Sequence, residues 1–273
     1  MSGKKICFTI DVDCDAAWPL EGATHAVTKG HSKPLFDATQ KGLVALTQLL
    51  DELHVNATFF FETRTAIELS KRLDLNNLMK SHEVGAHGFN HEDYTGEFTG
   101  MCWTREEKKC LLASSKNELQ KIFPSHEIIG FRAPYLHADA ELMELLHEVG
   151  FTYDSSFEED NARKLSEPRG VKEIKISAGR DARGNKISGY LWQLMEGKRR
   201  AEEYIKLVQE AKQETSEPIV LATHSWHSHY SISRGALPQE QAKENVGKIR
   251  KLLCELKQKN EFKKTSEVIE FTK

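Results

Sequence analysis

The sequence predicts an α/β protein in which parallel strands alternate with helices, as they do in a (β/α) barrel. Short β-rich runs alternate with longer stretches of helical spacing, which is typical of βα units around a parallel sheet. The chain has 273 residues, and barrels of this class commonly form one domain of about 200–250 residues. No internal repeat interrupts the pattern. We therefore expect residues 1–273 to form a single domain.

The first predicted strand, Ile6–Val12, is a short apolar run followed by acidic residues. The segment Asp37–Leu53 carries leucines at helical spacing, so it is predicted to be a helix that leads to a second strand at Val55–Phe61. β-rich runs further along the chain predict the remaining strands. These strands are expected at Glu83–His87, Ile128–Ala133, Phe151–Asp154, Val171–Ser177, Pro218–His224 and Val268–Phe271.

Helices fit between most of these strands, and each ends near a glycine, a proline or a polar cluster, as helix ends require. The polar segment Glu158–Arg169 has no convincing helical period and is interpreted as an irregular loop. Together with Trp18–His31 it is expected to shape a cleft, because loops at the carboxyl ends of barrel strands usually set specificity. The further helices are predicted at Thr65–Met79, Thr104–Phe123, Asp139–Val149, Arg199–Glu214 and Pro238–Lys259.

Composition excludes several classes of protein. The 38 Lys and Arg residues nearly balance the 41 Asp and Glu residues, so we expect no general affinity for nucleic acid or anionic lipid. The 5 cysteines include no Cys-x-x-Cys pair, which argues against a disulfide framework and a zinc ribbon. No signal-like or membrane-length apolar segment is found, so a cytoplasmic protein without a membrane span is expected. Homo-oligomer formation stays open.

Acidic residues mark the end of the first strand. Asp11 and Asp13 are two positions apart, so both carboxylates project to the same side of the strand. Two such charges repel each other unless a metal, an arginine or a shared proton lies beside them. The alternative is an exposed strand end with capping carboxylates. Asp15 is in the same phase, but we expect it to lie in the loop without a role.

Two histidines follow the third strand. His87 and His91 are four positions apart and can reach one metal ion if the segment forms a helical turn. An aspartate from the first strand would complete an Asp-His-His set with open positions for water, which is the layout of a catalytic metal site. A chain with 12 histidines also shows such a pair by chance. The spacing alone therefore does not establish a metal site.

Further polar residues follow later strands. Arg132 needs a carboxylate partner if it is buried, and Asp11 is the one at hand; otherwise it is a surface arginine. The proline before Tyr135 fixes the backbone, so the Tyr135 N–H could be held as an oxyanion donor. Asp154 and His224 are expected to face each other, with the carboxylate orienting the imidazole and favouring its protonated form. His224 would then be a general acid, unless it is an ordinary strand-end histidine.

Taken in order, these motifs resemble the five signature motifs of the polysaccharide deacetylases, the NodB-homology or carbohydrate esterase family 4 enzymes. The likeness spans about residues 5–230. Each motif is weak alone, but five in this order at successive strand ends are specific. The motifs are Thr9-Ile10-Asp11-Val12-Asp13, His87-x-x-x-His91, Arg132-Ala133-Pro134-Tyr135, Asp154-Ser155-Ser156 and Leu221-Ala222-Thr223-His224.

The resemblance implies a distorted (β/α) barrel with about seven strands that hydrolyses an N-acyl amide, acetyl or formyl, on an amino sugar or a related molecule. It also implies a divalent metal with Asp13, His87 and His91 as ligands. Zinc is the expected metal, although an Asp-His-His set also accepts cobalt, manganese or iron.

The resemblance further implies roles for the remaining site residues. Asp11 would be the general base, tethered by Arg132. His224 would be the general acid, set by Asp154, and the backbone N–H of Tyr135 would help to hold the oxyanion.

One departure from the family pattern bears on the substrate. The first motif is Asp-Val-Asp instead of the usual Asp-Asp-Gly, a variant shared by members that act on small or lipid-linked amides. We therefore expect a small or lipid-linked N-acylated sugar or related amide as substrate. Two other classes stay open, namely a non-catalytic carbohydrate-binding protein of this fold and a metallophosphoesterase. The latter would need further ligands, typically for two metals, and Arg or Lys clamps for phosphate.

Overall fold

The computed structural model describes residues 3–15, 33–159, 170–211 and 217–269. Eight helices are found in these ranges, α1 to α8 in chain order, and short 3-10 turns cover Pro134–Leu136, Trp226–Ser228 and Thr265–Val268. The helices are Lys33–Glu52, Thr63–Ser70, Leu75–Leu78, Arg105–Ile122, Ala140–Val149, Trp192–Met195, Ala201–Glu210 and Gln239–Lys257. The described strands, β1 to β12, are Lys5–Val12, Thr58–Phe61, Glu83–Ala86, Gly130–Phe131, Tyr153–Asp154, Lys172–Glu173, Ala178–Arg180, Lys186–Ser188, Ile219–His224, Tyr230–Ser231, Gly235–Ala236 and Glu261–Phe262.

The central sheet has eight strands, all paired in parallel. Seven of them follow the order β9-β1-β2-β3-β4-β5-β6, and the short β12 pairs with the first residues of β1. Beyond β6 the chain returns to β9, where the Ser177 N–H donates to the Val220 carbonyl at 3.1 Å. The result is a distorted (β/α) barrel with seven strands in its wall, which confirms the predicted fold class.

The two faces of β1 pack in separate cores. Phe8 and Ile10 belong to the large core between the sheet and the helices. Cys7 lies in a smaller core inside the barrel, with Phe60 and Tyr153 from neighbouring strands. Because side chains alternate along a strand, the inward phase that begins at Cys7 continues to Asp11 at the carboxyl end. The inward face of β1 is thus apolar at Cys7 and acidic at Asp11.

Two of the predicted elements differ in the structure. The predicted helix Thr65–Met79 is two helices, because Asp74 accepts a hydrogen bond from the Asn77 N–H and caps a second start. The predicted strand Val268–Phe271 is wrong at Val268, which ends a 3-10 turn. The last described strand is instead Glu261–Phe262, which pairs with β1. This strand was not predicted, because it is short and directly follows a strong helical pattern in the sequence.

Some predictions lie outside the described residues. These are the segment Trp18–His31, the end of the helix predicted at Arg199–Glu214, the last residues of the strand Val268–Phe271 and most of the loop Glu158–Arg169.

Gly42 lets α1 pack directly on the turn that follows β9. A Cβ atom at this position would lie 1.8 Å from the Ser225 carbonyl oxygen, which is backbone and cannot simply rotate away. We expect Gly42→Ala to lower the free energy of unfolding by about 1–3 kcal/mol, because the overpacking outweighs the gain in helix propensity. Urea denaturation measures the difference.

Gly247 provides the matched control, since it lies inside α8 with open space around the added atom. Gly247→Ala should raise the free energy of unfolding by up to about 1 kcal/mol, through helix propensity alone. Equal effects of the two substitutions would contradict the close contact at Gly42.

Candidate active site

Asp13 lies just beyond β1 and is fully buried. Its Oδ1 accepts hydrogen bonds from the Asp15 N–H and from Trp226 Nε1–H, both at 3.0 Å. Its Oδ2 has no hydrogen-bond partner among the described residues. Burial raises the pKa of this carboxyl to about 7, more than the charge of His91 and the Asp15 N–H lower it. A buried carboxylate oxygen without a donor is costly unless a positive group faces it.

Imidazole nitrogens surround this unpartnered oxygen. The Nε2 atoms of His87 and His224 each lie 3.7 Å from Asp13 Oδ2, and Nε2 of His91 lies 4.0 Å from it. Donor atoms of Asp13, His87 and His91 all lie within 4.8 Å of one another, and the three residues are buried. The structure thus brings together the three residues that the motifs predict as metal ligands.

His87 presents a free lone pair to this cluster. Its Nδ1 lies 2.8 Å from the Arg132 carbonyl oxygen, so Nδ1–H donates to the backbone and Nε2 carries no hydrogen in the neutral ring. Burial lowers the pKa of His87 to about 4. A neutral imidazole with one nitrogen fixed by a backbone carbonyl is the form that binds a metal.

His91 reaches the cluster from an irregular loop, so the residues reach one point without the helical turn that the spacing allowed. Gly88 and His91 both have positive φ, at 76° and 59°. The Glu92 carboxylate accepts the N–H groups of Phe89 and Asn90, both at 2.8 Å, and closes a compact loop in place of a helix turn. The left-handed conformation of His91 is a strained feature of the kind found at functional sites.

Asp15 orients His91, a role that was not expected from the sequence. Its Oδ2 lies 3.1 Å from His91 Nδ1 and accepts a hydrogen bond from the Tyr135 hydroxyl at 3.0 Å. Burial lowers the pKa of His91, but the contact with Asp15 outweighs it and the pKa rises to about 9. Asp15 is therefore a second support for the imidazole, of the kind that commonly fixes metal-binding histidines.

Arg132 is fully buried beside Asp11. Its Nη1 donates to Asp11 Oδ1 at 2.8 Å and to the Thr9 hydroxyl at 2.9 Å, and its Nε donates to the Ser155 carbonyl at 2.8 Å. The guanidinium also lies over the Phe60 ring at 4.4 Å. Burial raises the pKa of Asp11, but the Arg132 charge outweighs it, so the pKa falls to about 2. Asp11 is an ionised, fixed carboxylate.

His224 ends β9 directly beside Asp11, its register partner on β1. Its ring stacks on Trp226 with centroids 4.7 Å apart and meets the edge of Trp192 at 5.2 Å. Burial lowers the pKa of His224 well below its usual value. The aromatic walls hold the imidazole at the mouth of the barrel. The Tyr190 hydroxyl is 3.0 Å from its Nε2.

The expected contact between Asp154 and His224 is not found among the described residues. Asp154 accepts hydrogen bonds from the Ser156 hydroxyl at 2.6 Å and from the Ser156 N–H at 3.1 Å. Its register partner on the next strand is Glu173. Burial and the charge of Asp154 raise the pKa of Glu173 far above its usual value, so Glu173 carries a proton and the pair shares it. The register of β5 and β6 thus gives Asp154 a carboxyl neighbour in place of an imidazole.

Tyr135 has a strained backbone at the same end of the barrel. It has φ 61° and ψ 5°, and the following Leu136 has φ 56°, so two adjacent non-glycine residues adopt the left-handed region. The Tyr135 ring packs edge-on against His91 at 4.7 Å. Such strain persists only where surrounding contacts fix the backbone. The ring contact places Tyr135 beside the histidine cluster.

Three contributors were missed from the sequence. Asp15 shares the phase of Asp11 and Asp13, and this period of two was the available signal. Trp226 and Tyr190 had no such signal, because their contacts with Asp13 and Asp11 join residues about 200 positions apart.

A parallel barrel with carboxylates, imidazoles and a buried arginine at the carboxyl ends of its strands has the layout of an α/β-barrel active site. The family model of the polysaccharide deacetylases matches residues 35–153 of this chain. This is the family that the motifs predict. No helix among the described residues combines the length and apolarity needed to cross a membrane.

A curated relative is a peptidoglycan deacetylase of Helicobacter pylori, 28% identical over 151 residues, or 55% of this chain. The match spans 48% of that relative's length. A crystal structure described as a polysaccharide deacetylase from Mycobacterium smegmatis aligns with a TM-score of 0.67 at 21% identity, over 98% of this chain and 90% of that one. A carbohydrate esterase family 4 pseudoenzyme from Bacillus anthracis aligns at 0.57 and 13% identity, over 98% and 66%. Both structures share the fold.

Proposed function

We propose that the protein is a metal-dependent hydrolase that removes an N-acyl group from an amino sugar. The observation that carries the proposal is the buried, unpartnered Oδ2 of Asp13, which faces the Nε2 atoms of His87 and His91. This oxygen has no hydrogen-bond donor among the described residues, and the two imidazole nitrogens lie 3.7 Å and 4.0 Å from it, too far for a direct hydrogen bond. A divalent cation fits this need.

The donor set also fits such a cation chemically. One carboxylate oxygen and two imidazole nitrogens are ligands that zinc accepts, and three protein ligands leave positions open, as catalytic sites require. When bound, the cation would polarise the amide carbonyl and make the attacking water more acidic. Asp13, His87 and His91 would hold it, with Trp226 and Asp15 fixing two of the ligands.

The chain's own residues supply the proton transfers. Asp11, ionised and held by Arg132, would take the proton of the attacking water. His224, on the neighbouring strand in the same register, would give a proton to the leaving nitrogen, because an amine leaves poorly without one. The rigid peptide at Tyr135 would donate its N–H to the developing oxyanion.

The residues at the metal-ligand, base and acid positions favour an enzyme over a binding protein of the same fold. The expected ligands, base and acid all have residue types able to perform these roles and lie at one end of the barrel, which supports the proposal. A metallophosphoesterase typically uses two metals. In the described ranges a single group of metal-ligating side chains is found, Asp13 with His87 and His91.

A substrate panel tests the proposal. The zinc-loaded protein should release acetate or formate from at least one class of N-acylated amino sugar, with N-acetylglucosamine, nucleotide-linked and lipid-linked sugars, chitooligosaccharides and peptidoglycan fragments as separate arms. The Asp-Val-Asp motif favours the small and lipid-linked arms, whereas the name of the curated relative favours peptidoglycan. Activity on polymers alone would overturn the preference for small substrates. Release of phosphate instead of acid, or no release in any arm at full metal content, would overturn the function.

A further inference from the structure

Tyr190 lies where the chain returns from the β7–β8 hairpin to the barrel wall, and its backbone is fixed there. The Leu191 N–H donates to the Ala222 carbonyl at 2.7 Å, and the Ala222 N–H donates to the Gly189 carbonyl at 3.0 Å. Gly189 permits this approach, because a Cβ there would lie 2.6 Å from the Val220 carbonyl oxygen. The barrel itself therefore sets the position of Tyr190.

The Tyr190 hydroxyl lies between Asp11 and His224. It is 2.6 Å from Asp11 Oδ2, 3.0 Å from His224 Nε2 and 3.3 Å from His224 Nδ1. A phenol has a single hydrogen, and a carboxylate can only accept. The hydrogen is therefore donated to Asp11, which leaves the phenol oxygen to accept from the imidazole. Nε2 is the nearer of the two ring nitrogens, and a hydrogen on it would complete the contact.

We propose that Tyr190 is a positioning residue whose hydroxyl holds Asp11 and His224 in one hydrogen-bonded chain and keeps the imidazole hydrogen on Nε2. The inference rests on the proposed function, in which Asp11 is the base and His224 the acid. Arg132 fixes one oxygen of Asp11 and Tyr190 fixes the other, so the carboxylate cannot rotate. Tyr190 thus performs the orienting role that was expected of Asp154.

Kinetics of Tyr190→Phe test the positioning role. The substitution removes one oxygen and keeps the ring, so we expect kcat to fall about 10- to 100-fold, as for other residues that orient a catalytic group. KM should change by less than about twofold and the zinc content should stay the same, because neither substrate binding nor a ligand is removed. An unchanged kcat would overturn the inference.

Tyr153→Phe is the matched control. The Tyr153 hydroxyl is also buried and donates to a carboxylate, Glu83 Oε1, at 2.9 Å, but at the other end of the barrel. We expect this variant to lose stability and to keep its kcat. Equal losses of kcat in Tyr153→Phe and Tyr190→Phe would show a general structural effect and overturn the positioning role.

A second measurement does not depend on turnover. In zinc-loaded protein labelled with ¹⁵N-histidine, the spectrum of His224, assigned with His224→Asn, should show a slowly exchanging hydrogen on Nε2. Tyr190→Phe should lose that slow exchange. A hydrogen on Nδ1 in the unmodified protein would overturn the inference. If the substrate panel gives no activity but this signal is found, the proposed function fails while the hydrogen-bonded chain stands.

Discussion

Replacing Asp11 by asparagine is expected to lower kcat by about 10²- to 10⁴-fold while the protein keeps its metal. The carboxylate is ionised, with a pKa of about 2, and it lies outside the group of three metal-ligating side chains. Asparagine keeps the shape and still accepts a hydrogen bond from Arg132, but it cannot take a proton from water. Acetate release and elemental analysis of the same preparation measure the two quantities.

Asparagine is preferred to alanine at position 11 for a physical reason. Alanine would leave the guanidinium of Arg132 buried without its partner, which typically costs about 3–5 kcal/mol. Comparing Asp11→Asn with Asp13→Asn distinguishes the roles of the two acids. If Asp11→Asn empties the metal site and Asp13→Asn does not, then the assignment of base and ligand is reversed.

His91→Ala is expected to remove both metal and activity. The wild-type protein should retain about one zinc per chain after dialysis, and the variant should retain almost none. The physical reason is that two donors cannot replace three, and that Asp15 then loses the imidazole it pairs with. Elemental analysis after dialysis measures metal retention, and the substrate panel measures activity.

His82→Asn controls for the loss of a buried imidazole elsewhere. His82 is 2% exposed, and its Nδ1 accepts the Ala57 N–H at 3.3 Å, outside the metal-ligating group. We expect this variant to keep both zinc and activity, with some loss of stability. Full zinc retention in His91→Ala would refute His91 as a ligand.

Much of the site follows from where strands end. Parallel strands of one barrel have their carboxyl ends on the same side, so polar residues after separate apolar runs are expected to meet. This argument predicts Asp11 and Asp13 beside His87 and His224, and the structure places them together. It requires only the phase and the boundaries of the strands, both of which are local properties.

The shared side of the barrel does not specify lateral neighbours, so the contact expected between Asp154 and His224 is not found among the described residues. Strand ends on one side still differ in which strand lies next to which, and the register pairs Asp154 with Glu173. The conformation between His87 and His91 was left open by the sequence for a similar reason. The loop conformation depends on the Glu92 carboxylate closing on Phe89 and Asn90, a preference that spacing does not encode.

The amino-acid sequence by itself determined the alternation of strands and helices, the resemblance to the polysaccharide deacetylases and the identity of the charged groups at the strand ends. Apolar periodicity and side-chain chemistry are properties of the residue order, so these features could be predicted directly from the sequence. Only the tertiary structure determined which groups touch. Trp226 contacts Asp13, Asp15 contacts His91, and the Tyr190 hydroxyl lies between Asp11 and His224. These contacts are set by the strand register and by where the chain returns to the barrel wall. Those depend on packing the whole barrel at once.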